Sequence, residues 1–326
     1  MIRVNGQGNF PHIPSQTAAS GSIKVNFEGG RDIFTKALSS SNVGNNPINK
    51  VEDVFIKAVN SDIPAGNNPL NIVNLEKAED IVSKAKEFFG SIPHVIATAG
   101  YSAPPEGYEE ATRSFLDKLS KELGQKSVGF VTSPTADKGS IDAITTELSK
   151  NLANGPMPFF VTAKDYVSYI NPDNFPGTID KAAYSKVTKY VLPNAAEYSK
   201  ATALASNGLV ITGGRVQALD DLKNALAKGN KVAVLDNTAL PSAWDAGKDR
   251  LNNAARFIAE HIESYKTGKK LPKFETAKYA QASEEFMDFL KRNWDNIGKK
   301  LKVIALDSLE PDDIAKAAKK AAKHIL

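Results

Sequence analysis

The pattern of apolar and polar residues changes character at about His94. From there on, short apolar runs alternate with longer stretches in which apolar residues recur every three or four positions. The runs predict strands and the longer stretches predict helices, an alternation typical of a doubly wound α/β fold with a mostly parallel sheet. The five predicted strands have the sequences HVIATAG, SVGFVTSP, PFFVTAKD, GLVITGG and KVAVLDN, and a short sixth, KVIAL, lies near the C-terminus.

Helices are predicted between the strands. Residues 106–124, 139–155 and 216–229 each carry apolar side chains at helical spacing and end at a glycine, as helices often do. The stretch 178–206 predicts one or two further helices, with Pro193 marking the break between them.

The C-terminal part of the chain, 271–326, is predicted as helices with the short strand, packed on the core. In the segment SEEFMDFLKRNW, one side of the helix carries aromatic and aliphatic residues, which is typical of a core-facing stripe; these residues are Phe286, Phe289, Leu290 and Trp294. The final helix, SLEPDDIAKAAKKAAKHIL, has acidic residues at its start and lysines towards its end, as the helix dipole favours. We expect its lysine face to be solvated.

The first ninety residues have a different composition from the rest of the chain. Residues 1–50 are rich in Gly, Asn, Ser and Gln and are predicted as a polar extension with a linker at 39–50. A helical prefix is predicted over 51–90, with one helix in VEDVFIKAV and another in LEKAEDIVSKAKEFFG. An α/β core is predicted over 91–270. A short candidate helix also lies at 32–38.

Composition excludes several classes of chemistry. Among 326 residues there is no cysteine, and the four histidines never stand at the spacing of a metal site. We therefore predict no metal site and no required cofactor. The net charge of +4 is too small for the basic stripe of a nucleic-acid binder, and no apolar run reaches the ~18–20 residues of a membrane span.

The N-terminus lacks the basic and apolar regions of a Sec signal peptide. We expect a cytoplasmic protein. The alternative is secretion by a non-Sec bacterial system, with the polar N-terminus as the leader.

Candidate ligand-binding residues follow the predicted strands. In open α/β sheets, ligands bind beyond the carboxyl ends of the strands, where helix N-termini offer free N–H groups. Small hydroxyl residues, glycines and a lysine gather there, a set suited to a small phosphorylated ligand; they are Gly100, Ser102, Thr132, Ser133, Lys138, Gly139, Thr212, Gly213 and Gly214. The alternative is that these residues only cap helices and shape turns. Arg215 supplies a second cation, and neither a P-loop nor a GxGxxG fingerprint is present.

The turn after the fourth predicted strand carries a family resemblance. It reads Thr212-Gly213-Gly214-Arg215-Val216-Gln217-Ala218-Leu219-Asp220, and the second turn, TSPTADKGSIDA, keeps Gly139. These residues and the order of elements from His94 to about Ala246 resemble the Rossmann-like family of LOG-type nucleoside-monophosphate phosphoribohydrolases and the related SLOG sensor domains. That family has PGGxGTxxE at this turn. Two glycines match, and Asp220 stands where the glutamate would be.

The resemblance implies binding of a nucleotide or a nucleotide derivative, and a homodimer. If the chain is an enzyme, the resemblance implies hydrolysis of an N-glycosidic bond, with Asp220 and Arg215 as the catalytic residues. Two departures from the family's pattern argue against catalysis. Val216 and Gln217 replace Gly-Thr, and 178–206 contains no arginine. The alternative function is an interaction protein, such as a bacterial secreted effector, built on a catalytically inactive Rossmann-like scaffold.

Overall fold

The computed structural model describes residues 70–326, except 136, 154, 171–175, 240–252 and 272–275. All described residues belong to one unit, Ile63–Leu326. The predicted polar extension over 1–50 and the candidate helices at 32–38 and 51–59 lie outside the described residues. The same holds for the predicted secretion leader.

The described strands form one parallel sheet. In the sheet they lie in the order β1-β5-β4-β3-β2-β6-β7-β8, and each neighbouring pair is parallel. The predicted parallel α/β sheet is confirmed. The strands are β1 Ile72–Asn74, β2 His94–Ala99, β3 Val128–Thr132, β4 Phe159–Ala163, β5 Lys189–Leu192, β6 Gly208–Ile211, β7 Lys231–Asn237 and β8 Leu301–Leu306.

Helices cover both faces of the sheet, which confirms the doubly wound prediction. In the described ranges they are α1 Ile81–Phe89, α2 Tyr108–Glu122, α3 Ile141–Ser149, α4 Lys181–Lys186, α5 Ala195–Ala205, α6 Val216–Lys228, α7 Ala254–Thr267, α8 Ala277–Ile297 and α9 Pro311–Ile325. One core holds α1, α5, α6, α7 and α8, and a second holds α2, α3 and α9. None of the helices in the described ranges has both the length and the apolarity to cross a membrane.

Side-chain alternation along each strand separates the two cores. In β2, Val95, Ala97 and Ala99 belong to the first core, whereas Ile96 belongs to the second. This follows from the period of two in a strand, which sends successive side chains to opposite faces. Each central strand is therefore apolar on both sides, and this is why it appears in the sequence as a continuous apolar run.

The C-terminal helices pack as predicted. Phe286 and Leu290 of α8 are fully buried, and Phe289 and Trp294 pack against the same core. In α9 the apolar stripe is buried and the lysines are exposed. The solvated lysine face is confirmed.

The prediction of one or two helices over 178–206 is wrong in part. That stretch contains α4, then strand β5, then α5, and Pro193 follows β5. β5 has the sequence KYVL, and its lysine, together with the helix-forming residues on both sides, hides the apolar run that indicates a buried strand. It forms because it pairs with β1 on one side and β4 on the other. β1 itself, three residues long, was not predicted.

The chain reverses its direction of winding between β2 and β6. These strands are neighbours, but β2 is followed by α2 in the second core and β6 by α6 in the first. Helices that leave on opposite faces open a crevice at the carboxyl ends of the two strands. The fold thus places the loops after β2 and β6 at the site where ligands bind in open α/β sheets.

A buried histidine joins α7 to α8. His261 is fully buried; its Nδ1–H donates to the Phe257 carbonyl oxygen at 2.7 Å, and its Nε2 accepts from Ser283 Oγ at 2.7 Å. The ring also stacks on Phe257 at 3.9 Å. Burial lowers the pKa of His261 to about 4, so the folded protein holds this side chain neutral.

We predict that acidification from pH 7 to pH 5 destabilises the fold through His261. In that range the unfolded histidine takes up a proton, with a pKa of about 6.5, whereas the folded one does not until about pH 4. The contribution of His261 to the free energy of unfolding should fall by about 1–2 kcal/mol, measured by urea denaturation of wild type and His261→Gln at both pH values. His261→Gln should lose this part of the pH dependence.

His94→Gln is the matched control, because it removes a half-buried histidine at the start of β2. It should keep the wild-type difference between pH 7 and pH 5. An unchanged difference in His261→Gln would contradict the assignment.

Candidate functional site

The loops after β2 and β6 stay in contact beyond the last paired residues of the strands. The backbone N–H of Thr212 donates to the Ala99 carbonyl oxygen at 2.9 Å. The Tyr108 hydroxyl lies 2.7 Å from Thr212 Oγ1 and accepts from the Tyr101 N–H at 3.3 Å. Side-chain and backbone hydrogen bonds therefore hold the two walls of the crevice together at its base.

The glycines of the second loop allow protein groups to approach closely. A Cβ on Gly213 would lie 2.3 Å from Cε2 of Tyr101, and one on Gly214 would lie 2.8 Å from the Gly100 carbonyl oxygen. Gly214 also has a φ of 89°, in the left-handed region that favours glycine. The space left by the missing side chains is thus occupied by Tyr101 and by the Gly100 backbone, and packing explains why these positions are glycine.

Packing of the neighbouring groups accounts for the glycines, but it does not supply hydrogen-bond partners for the backbone N–H groups of this loop. Gly213 and Gly214 are buried. Among the hydrogen bonds between described residues, none engages the N–H of Gly213, Gly214, Arg215 or Val216. Buried N–H groups without a partner are rare in folded proteins. Here the two buried residues, Gly213 and Gly214, directly precede the N-terminus of α6, where the helix dipole adds positive potential.

Tyr101 also has an unsatisfied polar atom at this place. The side chain is 8% exposed, and its hydroxyl has no hydrogen-bond partner. Its ring meets the Tyr108 ring edge to face, with centroids 4.9 Å apart. Burial raises the pKa of Tyr101, and the nearby Arg215 partly offsets that rise, so the hydroxyl is a neutral donor within the field of Arg215.

The two residues predicted as catalytic lie in different surroundings. Arg215 is exposed at the N-cap of α6, on the rim of the crevice. Asp220, in the second turn of α6, has Lys223 and Glu285 of α8 as its charged neighbours, and burial raises its pKa.

Thr132 and Ser133 are engaged by a buried carboxylate that the sequence did not indicate. Asp142 of α3 accepts from Thr132 Oγ1 at 2.6 Å, from the Ser133 N–H at 3.1 Å and from Thr135 Oγ1 at 2.7 Å. Burial raises the pKa of Asp142 to about 6 against the lowering effect of these bonds. The three contacts tie the loop after β3 to the first turn of α3.

Three other predicted residues lie apart from the crevice floor. Ser102 is exposed. Gly139 lies against Glu109 of α2. Lys138 lines a separate open groove of about 600 Å³ with Arg113 and Glu147. The structure thus brings Gly100, Thr212, Gly213, Gly214 and Arg215 together and leaves Lys138, Gly139 and Ser102 outside that group.

A chain of polar side chains joins the loop after β4 to α6. The Tyr166 hydroxyl donates to Gln217 Oε1 at 3.4 Å, and Gln217 Nε2 donates to Asp221 Oδ1 at 3.4 Å. Burial raises the pKa of Asp221 to about 7. Only the spacing of Gln217 and Asp221 by one helical turn was visible in the sequence, and it does not distinguish a buried pair from an exposed one.

A second acidic group lies at the carboxyl end of β7. Asp236 is 6% exposed, and its Oδ2 accepts from Arg256 Nη1 at 2.7 Å, whereas its Oδ1 has no partner. The α7 helix that carries Arg256 contacts the glycine loop, because the Ala254 N–H donates to the Gly214 carbonyl oxygen at 2.9 Å. In the described ranges, no three His, Asp or Glu side chains form a group that could hold a metal ion.

We predict opposite stability effects for two neighbouring tyrosines. Tyr101→Phe removes a hydroxyl that has no partner, so the free energy of unfolding should stay the same or rise. Tyr108→Phe removes a hydroxyl bonded to Thr212 and Tyr101, and the free energy of unfolding should fall by about 1–2 kcal/mol. Urea denaturation without added ligand measures both, and equal losses would contradict the free state of the Tyr101 hydroxyl.

A further prediction concerns Asp221. Its folded pKa of about 7 lies above the usual value of 3.8, so the folded state binds the proton more tightly between about pH 4 and pH 7. The contribution of Asp221 to the free energy of unfolding should therefore fall as pH rises through that window. Urea denaturation at pH 5 and pH 8 should show a smaller decrease for Asp221→Asn than for wild type. The exposed Asp165→Asn is the control, and a decrease in Asp221→Asn equal to that of wild type would refute the prediction.

No protein-family model matches the chain, and the search of curated proteins finds no significant match.

Proposed function

We propose that the protein binds a small phosphorylated ligand of the nucleotide type in the crevice between the loops after β2 and β6. One observation carries the proposal: Gly213 and Gly214 are buried, yet no hydrogen bond between described residues engages their N–H groups. A phosphate oxygen at the N-terminus of α6 would accept from these groups.

The charges around the loop support an anionic group. Arg215 lies at the N-cap of α6, and the first turn of that helix contains no acidic residue. The α6 dipole contributes roughly half a positive charge at the same point. The Tyr101 hydroxyl, buried and without a partner, would donate one more hydrogen bond to the ligand.

The resemblance of this turn to SLOG and LOG proteins supports a nucleotide derivative over other phosphates. We restrict the proposal to binding, because hydrolysis of an N-glycosidic bond needs a carboxylate directed at the reacting centre. The charged neighbours of Asp220 are Lys223 and Glu285, not groups of the crevice. The alternative of an interaction protein depends on residues before 70, which lie outside the described residues.

We expect AMP to raise the melting temperature of the full chain and adenosine to leave it unchanged, since the proposed contacts are to the phosphate. Thermal unfolding with AMP, inorganic phosphate and adenosine measures this. Arg215→Gln should weaken AMP binding by about tenfold or more, because a hydrogen bond to a charged group is worth about 1.5–3 kcal/mol. Tyr101→Phe should also weaken AMP binding.

Lys223→Gln is the matched control, because it removes a cation from α6 away from the loop. It should bind AMP as wild type does. If none of the three probes shifts the unfolding of a folded sample, or if Lys223→Gln and Arg215→Gln weaken binding equally, the proposed site is wrong.

A further inference from the structure

We infer that Asp236 recognises a hydroxyl group of the bound ligand, so that the site selects a phosphorylated sugar or polyol over a phosphate ester without hydroxyls. The inference rests on the proposed phosphate site and adds a second point of contact to it. Three features of Asp236 support it: its position in the sheet, its free oxygen and its ion pair with Arg256.

The sheet register places Asp236 beside the glycine loop. Ala99 of β2 pairs with Ile211 of β6, and Ile211 pairs with Val234 of β7. Continued by two residues, the same register puts Tyr101, Gly213 and Asp236 on one line across the three strands. Neighbouring strands lie about 4.8 Å apart. Asp236 therefore lies at the same edge of the sheet as the glycine loop, one strand away from it.

Asp236 has one carboxylate oxygen that can accept a hydrogen bond from a ligand. Its Oδ2 is used by Arg256, and its Oδ1 is buried with no hydrogen-bond partner. A carboxylate oxygen can only accept, so the group that completes it must be a donor, such as an O–H. The two strands next to β6 thus each lead to an unsatisfied polar atom at this edge of the sheet: the Tyr101 hydroxyl after β2 and Asp236 Oδ1 in β7.

The ion pair with Arg256 makes a carboxylate compatible with a nearby phosphate. Arg256 contacts Asp236 at 2.7 Å and also lies 3.5 Å from Glu260. It lowers the pKa of Asp236 against the dominant effect of burial. Arg256 therefore offsets part of the negative charge that Asp236 shares with the nearby Asp307 and Glu263, while the free oxygen keeps its capacity to accept.

The helix that carries Arg256 is fixed to the phosphate loop. The Ala254 N–H, in the first turn of α7, donates to the Gly214 carbonyl oxygen, and Arg256 follows two residues later. Asp236, Arg256 and Gly214 therefore belong to one rigid junction between β6, β7 and α7. Such a junction can hold a hydroxyl and a phosphate of one ligand at a fixed separation.

The test compares two phosphate monoesters with five carbons each, ribose 5-phosphate and 1-pentyl phosphate, by calorimetric titration of the full chain. Wild type should bind ribose 5-phosphate at least tenfold more tightly. Asp236→Asn, which keeps the shape of the side chain, should reduce this preference to within threefold and change the affinity for 1-pentyl phosphate by less than threefold. Asp295→Asn removes an exposed carboxylate of α8 and should keep the full preference.

The outcomes separate the inference from the proposed function. If neither ester binds wild type, the phosphate site fails and the inference fails with it. If both bind wild type equally, or if Asp236→Asn keeps the preference, the phosphate site stands and the role of Asp236 is overturned. Should Asp236→Asn not fold, Asp236→Glu keeps the charge for Arg256 but moves the carboxylate by one methylene, and a retained preference in that variant would overturn the inference.

Discussion

The close approach of the loops after β2 and β6 is the constraint on which the rest of the site depends. It requires glycine at 213 and 214, because a Cβ there would overlap the Tyr101 ring or the Gly100 carbonyl oxygen. It also depends on the Tyr108 hydroxyl, which contacts both loops. The first N–H groups of a helix have no partner within the helix, and the close loops bury Gly213 and Gly214 without supplying an acceptor for their N–H groups.

The junction between the two sheet halves extends this constraint to β7 and α7. Through the bond between Ala254 and Gly214, the N-terminus of α7 is placed against the same loop, and Arg256 reaches Asp236. The carboxyl edge of β2, β6 and β7 therefore collects a hydroxyl, backbone donors, an exposed arginine and a half-satisfied carboxylate within three neighbouring strands. On the other side of β2, the polar groups are engaged with one another: Asp142 ties down the loop after β3.

This contrast between satisfied and unsatisfied groups is what separates a structural polar cluster from a candidate binding site. Asp142 and Asp221 are buried acids with raised pKa values, a property often found at functional sites. Both, however, already have hydrogen-bond partners within the protein. By contrast, the Gly213 N–H and the Tyr101 hydroxyl are donors without a partner, and Asp236 Oδ1 is an acceptor without a partner. A ligand with complementary groups would form the hydrogen bonds that the protein alone does not form.

The sequence by itself determined the α/β class, six of the eight described strands, the helices that follow them and the glycine turn at the end of GLVITGG, because each of these is encoded in local periodicity and in the residues beside it. Tertiary structure decided the rest. β1 and β5 carry no clear apolar run of their own and exist because the sheet supplies their hydrogen-bond partners. Likewise, whether Gly213 faces Tyr101, whether Asp221 is buried and whether Asp236 meets Arg256 depend on contacts between segments far apart in the chain, which no local pattern records.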